Sequence, residues 1–184
     1  MPLTTIDPAA ALIVIDLQKG IVAMPTVHPT AEIVNRSARL ARAFREKGLP
    51  VVLVNVTGRA PGRTDNSWPR TSFPADWADL VPELDPKTGD ILISKQCVGA
   101  FTRTPLQDQL EQRGVTQVFL TGVATSLGVE ATGRNAFDYG YNVVLVTDAM
   151  TDRDGDSHRH SVEKIFPRIG ETETTENVFQ RLRG

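Results

Sequence analysis

The sequence is short of cysteine, histidine and unbroken apolar runs, and each shortage closes off a class of function. A single cysteine, Cys97, rules out an intrachain disulfide, so nothing asks for an oxidising compartment. No apolar stretch approaches the roughly 20 residues of a membrane-spanning helix. Lys and Arg (20) do not outnumber Asp and Glu (22), and the formal charge is −2. That leaves no surplus of cations to neutralise nucleic-acid phosphates or an anionic membrane surface, so neither partner is expected. The opening Met1-Pro-Leu-Thr-Thr5 lacks the basic and apolar pattern of a secretory signal, and the expectation is a cytoplasmic protein. No G-x-S-x-G elbow, Gly-Lys-Ser/Thr P-loop or G-x-G-x-x-G fingerprint occurs.

What is present is an alternation of short apolar runs and amphipathic stretches over 184 residues, which suits one domain, 1–184. The runs Ala11–Ile15, Val51–Val56, Val118–Thr121 and Tyr141–Val146 are β-branched and nearly continuous, as strands buried on both faces of a parallel sheet are; Ile91–Ser94 is a weaker fifth. Residues 31–47 place Ile33, Leu40, Ala41 and Phe44 on one helical face, with Gly48 to close the helix. Thr104-Pro105 predicts an N-cap and first-turn proline for a helix ending at Gly114. Ser126 predicts a cap for a helix to about Tyr139. A helix over 157–166 stopped before Pro167, a strand near 168–172 and a helix near 174–182 complete the pattern. The order predicts an α/β fold, a three-layer α/β/α sandwich on a six-stranded parallel sheet, with every strand's C-terminal end on one edge.

Residues 57–86, with five prolines, two glycines and both tryptophans, interrupt the alternation. A segment of this length is either a lid over the strand ends or an arm contacting another subunit.

Three features fall on the predicted edge. Asp16 directly follows the first strand and is either a loop-capping residue or a buried functional carboxylate. Lys95 ends another strand, where it is either solvated or paired with a carboxylate, Asp16 being the obvious partner. The small-residue turn Thr121-Gly-Val-Ala-Thr-Ser-Leu-Gly-Val-Glu-Ala-Thr132 aims backbone N–H groups at the same edge, suited to an oxyanion or carboxylate.

Taken together, Asp16-Leu-Gln18, Lys95 with Gly99-Ala-Phe101, Gly122–Arg134, Asn142-Val-Val with Thr147-Asp-Ala149, and His160-Ser with Ile165-Phe-Pro-Arg168 resemble the isochorismatase-like hydrolase superfamily over nearly the whole chain. The family's cysteine hydrolases cleave amides with an Asp–Lys–Cys triad. By that resemblance Asp16 and Lys95 take the first two roles, but the nucleophile position is Gly128, which has no side chain to form a thioester. The family's true isochorismatases, and the phenazine-pathway enzyme that acts on aminodeoxyisochorismate, also carry glycine there. They hydrolyse a vinyl ether, with an Asp protonating the enol carbon, and need no nucleophile. Those enzymes have Tyr-Ala-His where this chain has Ala124-Thr125-Ser126, so the substrate stays open.

The resemblance implies a hydrolase of a small, carboxylated metabolite with Asp16 as general acid/base and Lys95 as its partner. Gln18, Phe101, Ala124, Thr125, Ser126 and Leu127 would line the site, and Arg63, Trp68 and Arg70 of the long segment would meet a substrate carboxylate. It also implies a homo-oligomer and a cis peptide at Val123–Ala124. The alternatives are a non-catalytic small-molecule binder that keeps the pocket, or an amidase using Cys97. Were the strand to continue past Lys95, Cys97 would lie about 6–7 Å from it on the same face, close enough to lower the thiol's pKa. The family's metal-binding members use Asp-x-His plus a second His. Here Asp65 is followed by Asn66 and Ser67, and His28, His158 and His160 are not suitably placed, so no metal and no cofactor is expected.

Overall fold

In the computed structural model, which describes residues 3–65 and 73–183, strands β1 (Ala10–Ile15), β2 (Val51–Val56), β3 (Ile91–Lys95), β4 (Gln117–Val123), β5 (Asn142–Thr151) and β6 (Glu171–Glu173) form one sheet. Its order is β3-β2-β1-β4-β5-β6, and every pairing is parallel. The direction of winding reverses between β1 and β4, and open parallel sheets build sites beyond the strand ends at such a point.

The strand residues explain the layers. Alternate side chains of β1 point to opposite faces. Leu12 and Val14 join a core with α2 (Thr30–Glu46) and α7 (Thr175–Arg183). Ile13 and Ile15 join a second core with α3 (Leu106–Glu111) and α4 (Glu130–Asp138). Both faces are covered, so the strand sequences read as continuous apolar runs rather than as alternation.

The element boundaries differ from the sequence reading in several places. The helix expected from Thr104-Pro105 to Gly114 spans Leu106–Glu111, with Pro105 rather than Thr104 at its N-cap. Ser126 does not cap α4. It lies inside a π-helical turn, Thr125–Val129, that enters α4 without a break, and no side chain caps that turn. Pro167 does not stop the fourth helix: α5 (Gly155–His160) runs through a second π-turn (Ser161–Ile165) into α6 (Phe166–Ile169), which carries the proline in its first turn, where a missing N–H is tolerated. The helix therefore occupies 168 and 169, and the last strand starts later, at Glu171. Finally, β5 continues to Thr151, five residues past its apolar run, which carries Thr151 and Asp152 up to the edge where β1 and β4 end. A four-residue helix, α1 (Lys19–Val22), had no signal in the sequence.

Of the long segment, residues 77–84 are anchored, whereas residues 59–65 are exposed. Leu80 bridges to Gln18, and Trp77, Val81 and Leu84 are buried in the first core.

Candidate active site

Asp16 is the first residue beyond β1, and its backbone turns sharply there, at φ 52. Lys95 ends β3, two strands away; it is paired in register with Val56 of β2, and its side chain reaches across β2's end. Lys95 Nζ donates to Asp16 Oδ2 at 2.7 Å and to the Cys97 carbonyl oxygen at 3.3 Å. Both side chains are almost wholly enclosed, at 2% and 8% exposure. Asp16 Oδ1 has no hydrogen-bond partner. Burial pushes the Asp16 carboxyl up, the Lys95 ammonium pulls it back, and burial wins: it comes to about 6. Near neutrality the group therefore passes readily between acid and base forms, which a proton-transfer catalyst requires.

The third member arrives from β4. Gly122, at φ 119, lets β4 press against β1: a Cβ there would lie 2.0 Å from the Ile15 carbonyl oxygen. The Val123–Ala124 peptide is cis, as the resemblance implied. The π-turn then places Gly128 against the carboxylate. A Cβ at Gly128 would lie 3.3 Å from Asp16 Oδ2 and 3.0 Å from Ile15 Cγ2. Asp16, Lys95 and Gly128, 112 positions apart at the extremes of the sequence, thus meet in one spot.

The turn is tied down from several sides. Leu127 N and Val129 N both donate to the Ala124 carbonyl. Ser126 N donates to Asp152 Oδ2 at 2.7 Å, and Thr125 Oγ1 meets His158 Nδ1 at 2.8 Å. Thr132 Oγ1 donates to the Gly128 carbonyl at 2.6 Å and accepts from Ala100 N at 3.0 Å, linking the loop after β3 to α4.

The remaining sequence-selected residues are distributed unevenly. Gln18 is fully buried, with its amide committed to backbone: Oε1 accepts from Val56 N, and Nε2 donates to Val56 O and Trp77 O. It holds the long segment to β2 and has no polar atom left over for a ligand. Phe101 turns into the second core, packing against Tyr139 and Tyr141, so it supports the loop after β3 from behind. Ala124 and Ser126 are half-buried, Thr125 is buried and Leu127 is exposed. Arg63 is exposed on the loop following β2; Trp68 and Arg70 lie outside the described residues. Cys97 does not continue the strand, because β3 ends at Lys95 and the chain bends. Lys95 therefore meets the Cys97 carbonyl. The partly exposed Cys97 lines a cleft of about 560 Å³ with Pro61, Gly62, Arg103, Ala131 and Asn135.

Sequence reasoning missed Asp152, His158, Thr151 and His28, which surround the turn from behind. The available signal was Asp148–Asp152, which follows β5's apolar run; reading the strand as ending at 146 kept these residues away from the edge.

The structure thus brings a buried carboxylate–ammonium pair to the switch point of a parallel α/β sheet, beside the turn that enters α4. The isochorismatase domain model matches residues 10–177, and the chain belongs to that family of hydrolases. It is 37% identical over 182 residues to an uncharacterised isochorismatase family protein of Bacillus subtilis, covering 94% of each chain. It is 28% identical to maleamate amidohydrolase of Pseudomonas putida, covering 94% of this chain and 86% of that one. The solved structure of an isochorismatase family protein from Burkholderia thailandensis superposes with a TM-score of 0.93 at 36% identity, covering 98% of both chains.

Proposed function

We propose that this chain hydrolyses a small, carboxylated metabolite without a covalent intermediate, with Asp16 as general acid/base, Lys95 as its charge partner and Gly128, which has no side chain to act as a nucleophile, packed against the carboxylate. The observation that carries this reading is the unpartnered Asp16 Oδ1 on a buried carboxyl that titrates near 6. On a vinyl ether, the protonated carboxyl donates to the enol carbon, water adds to the resulting oxocarbenium carbon, and the hemiketal collapses to a ketone and an alcohol. On an amide, the carboxylate takes a proton from attacking water and returns it to the leaving nitrogen. In both cases Lys95 stabilises the anionic form of Asp16 when the proton has left. The amino end of the Thr125 turn suits the oxygen on which charge develops. Arg103, which lines the neighbouring cleft, and Arg63 on the loop after β2 support a carboxylated substrate.

The test is turnover of isochorismate and of maleamate by the wild type and by Asp16→Asn. Hydrolysis of either, lost in the variant, supports the reading. Hydrolysis that survives in the variant overturns the role of Asp16, and no turnover of either removes both substrates.

A second reading, an amidase with Cys97 as nucleophile, is favoured by the amidohydrolase relative and by the placement of Cys97 on the cleft beside Lys95. Alkylating the single thiol abolishes amide hydrolysis under that reading and leaves it intact under the first.

A further inference from the structure

Against the Thr125–Val129 turn, two histidines from distant parts of the sequence meet. The His28 and His158 rings lie edge to face, with centroids 4.8 Å apart. Each imidazole is bound to a threonine hydroxyl: His158 Nδ1 to Thr125 at 2.8 Å, and His28 Nδ1 to Thr151 at 3.1 Å. We propose that His158 is a positioning residue for the Thr125–Gly128 turn, and that it holds the turn in place only while its imidazole is uncharged, so that the turn loosens as the medium becomes acidic.

The argument starts from the hydroxyl of Thr125. It is completely buried, and His158 is its only side-chain partner among the described residues. A neutral imidazole accepting at Nδ1 takes that hydroxyl's proton and leaves it satisfied. Protonating His158 turns Nδ1 into a donor. The hydroxyl must then accept, and its own proton is left in a buried place without an acceptor. Thr151 repeats the arrangement: its hydroxyl accepts from the His28 backbone N–H at 3.1 Å and lies 3.1 Å from His28 Nδ1. Charging both rings at 4.8 Å adds like-charge repulsion across the contact.

The surroundings set how strongly the pair resists protonation. Burial holds His158 below the usual histidine range, His28 adds to this, and Asp152 pulls the other way. Asp152 is itself engaged by Ser126 N and Arg153 N. Asp154 caps α5 through Ser157 N, Glu130 at the start of α4 accepts from Ser161 and Arg134, and Asp156 is paired with Arg159 on α5's outer side. His160 lies on the same helix and is exposed. The π-turn itself carries no ionisable side chain. Acid therefore acts on the turn through His158, whose protonation burial and His28 resist and Asp152 alone favours.

The test follows backbone amide and imidazole resonances by NMR from pH 8 to 5, and it needs no substrate. It is run on Asp16→Asn, so that the carboxyl's own titration near 6 does not reach the turn. The expected result is that the Ser126, Leu127 and Gly128 amides move with the same midpoint as the His158 ring, below about 6.5. Adding His28→Gln, which removes one of the causes that hold His158 down, raises both midpoints together. His158→Gln, whose amide keeps a hydrogen-bonding group near Thr125, removes that component. Turn amides that do not titrate, or whose midpoint stays put when the His158 ring's midpoint moves, overturn the proposal. Should Asp16→Asn not fold, the same pair of histidine variants in the wild-type background gives the same answer, because His28→Gln displaces the histidine component and not the carboxyl one.

Discussion

Strand β3 carries a buried ion pair at each end, and the two are alike in everything except what they leave over. At the entry, Asp90 accepts from Arg45 Nη2 at 2.7 Å, from Arg45 Nε at 3.0 Å and from Lys87 N at 2.8 Å. At the exit, Asp16 accepts from Lys95 Nζ, also at 2.7 Å, and its second oxygen has no partner. Asp90 is saturated by a forked guanidinium and a backbone amide, so it fastens α2 to the start of β3 and has nothing further to offer. Asp16 is held through Oδ2 by a single ammonium, and its other oxygen, Oδ1, is kept in reserve. A charge taken out of water and only half satisfied is a poor stabiliser, and it persists where that incompleteness serves a reaction. The two ends of one strand thus separate fastening from chemistry.

The comparison breaks most directly under paired substitutions. Asp16→Asn is expected to lower turnover by about 10²–10⁴-fold, the usual contribution of general acid/base catalysis, while the melting temperature changes little. The asparagine keeps an acceptor for Lys95 and removes a carboxylate that was costly to bury. Arg45→Met is expected to do the reverse: it strands Asp90 in the interior, lowers stability by about 3 kcal/mol in urea unfolding, and leaves kcat unchanged in the fraction that stays folded. Equal stability losses in both variants, or loss of turnover in Arg45→Met, would erase the distinction.

Lys95→Met sharpens it. The Lys95 ammonium is what holds the Asp16 carboxyl down, so its removal moves that group above about 6, and a reaction that needs the protonated form extends to higher pH. Stability has its own sign. The folded-state value of Asp16 lies above its ordinary 3.8, so the folded protein binds the proton more tightly than the unfolded chain. Its contribution is fully present below pH about 4 and is lost as pH rises through about 6, on the order of 2–3 kcal/mol in all. Urea midpoints of the wild type should fall across that window relative to Asp16→Asn, in which the slope disappears. A slope of opposite sign would mean that Lys95, not burial, controls the group.

The sequence carried the sheet because parallel strands buried on both faces leave unmistakable apolar runs, and Ile13-Val-Ile15 followed by Asp16 marks where one of them stops. It carried Asp16 and Lys95 because each sits at such a stop; Gly128, five residues past the end of β4, was marked only by the family resemblance. It did not carry the π-turns. A turn widened by one residue has the composition of an α-helix, so Ser126 looked like a cap and Pro167 like a stop. It also did not carry the length of β5, whose last five residues, Thr147–Thr151, are mixed in polarity and owe their strand conformation to pairing of Met150 and Thr151 with Gly122 and Val123. Phe101 and Gln18 were picked for their place in a motif. Which way their side chains turn is decided by Tyr139, Tyr141 and the Val56 backbone, all distant in sequence.

The smallest expected effect tests whether the glycine beside Asp16 is open space or contact surface. A Cβ at Gly128 would come 3.0 Å from Ile15 Cγ2, 3.3 Å from Asp16 Oδ2 and 3.4 Å from the Val123 carbonyl oxygen, each closer than a methyl group is comfortable. Helical backbone at this position gains up to about 1 kcal/mol from alanine over glycine, whereas crowding a close-packed core costs about 1–3 kcal/mol. Ile15 is fully buried in the middle of the sheet and has little room to give, so crowding wins. Gly128→Ala is expected to lose about 1 kcal/mol by urea unfolding and to push the Asp16 carboxyl above about 6, since the methyl excludes what solvent reaches Oδ2. Ile15→Val, which frees space for the neighbouring chain to shift, should make the double variant cost less than the sum of the two single ones. The same substitution cannot disturb Asp90, at the far end of β3. A Gly128→Ala protein with unchanged stability and an unchanged Asp16 titration would show that the carboxylate faces a true vacancy at residue 128.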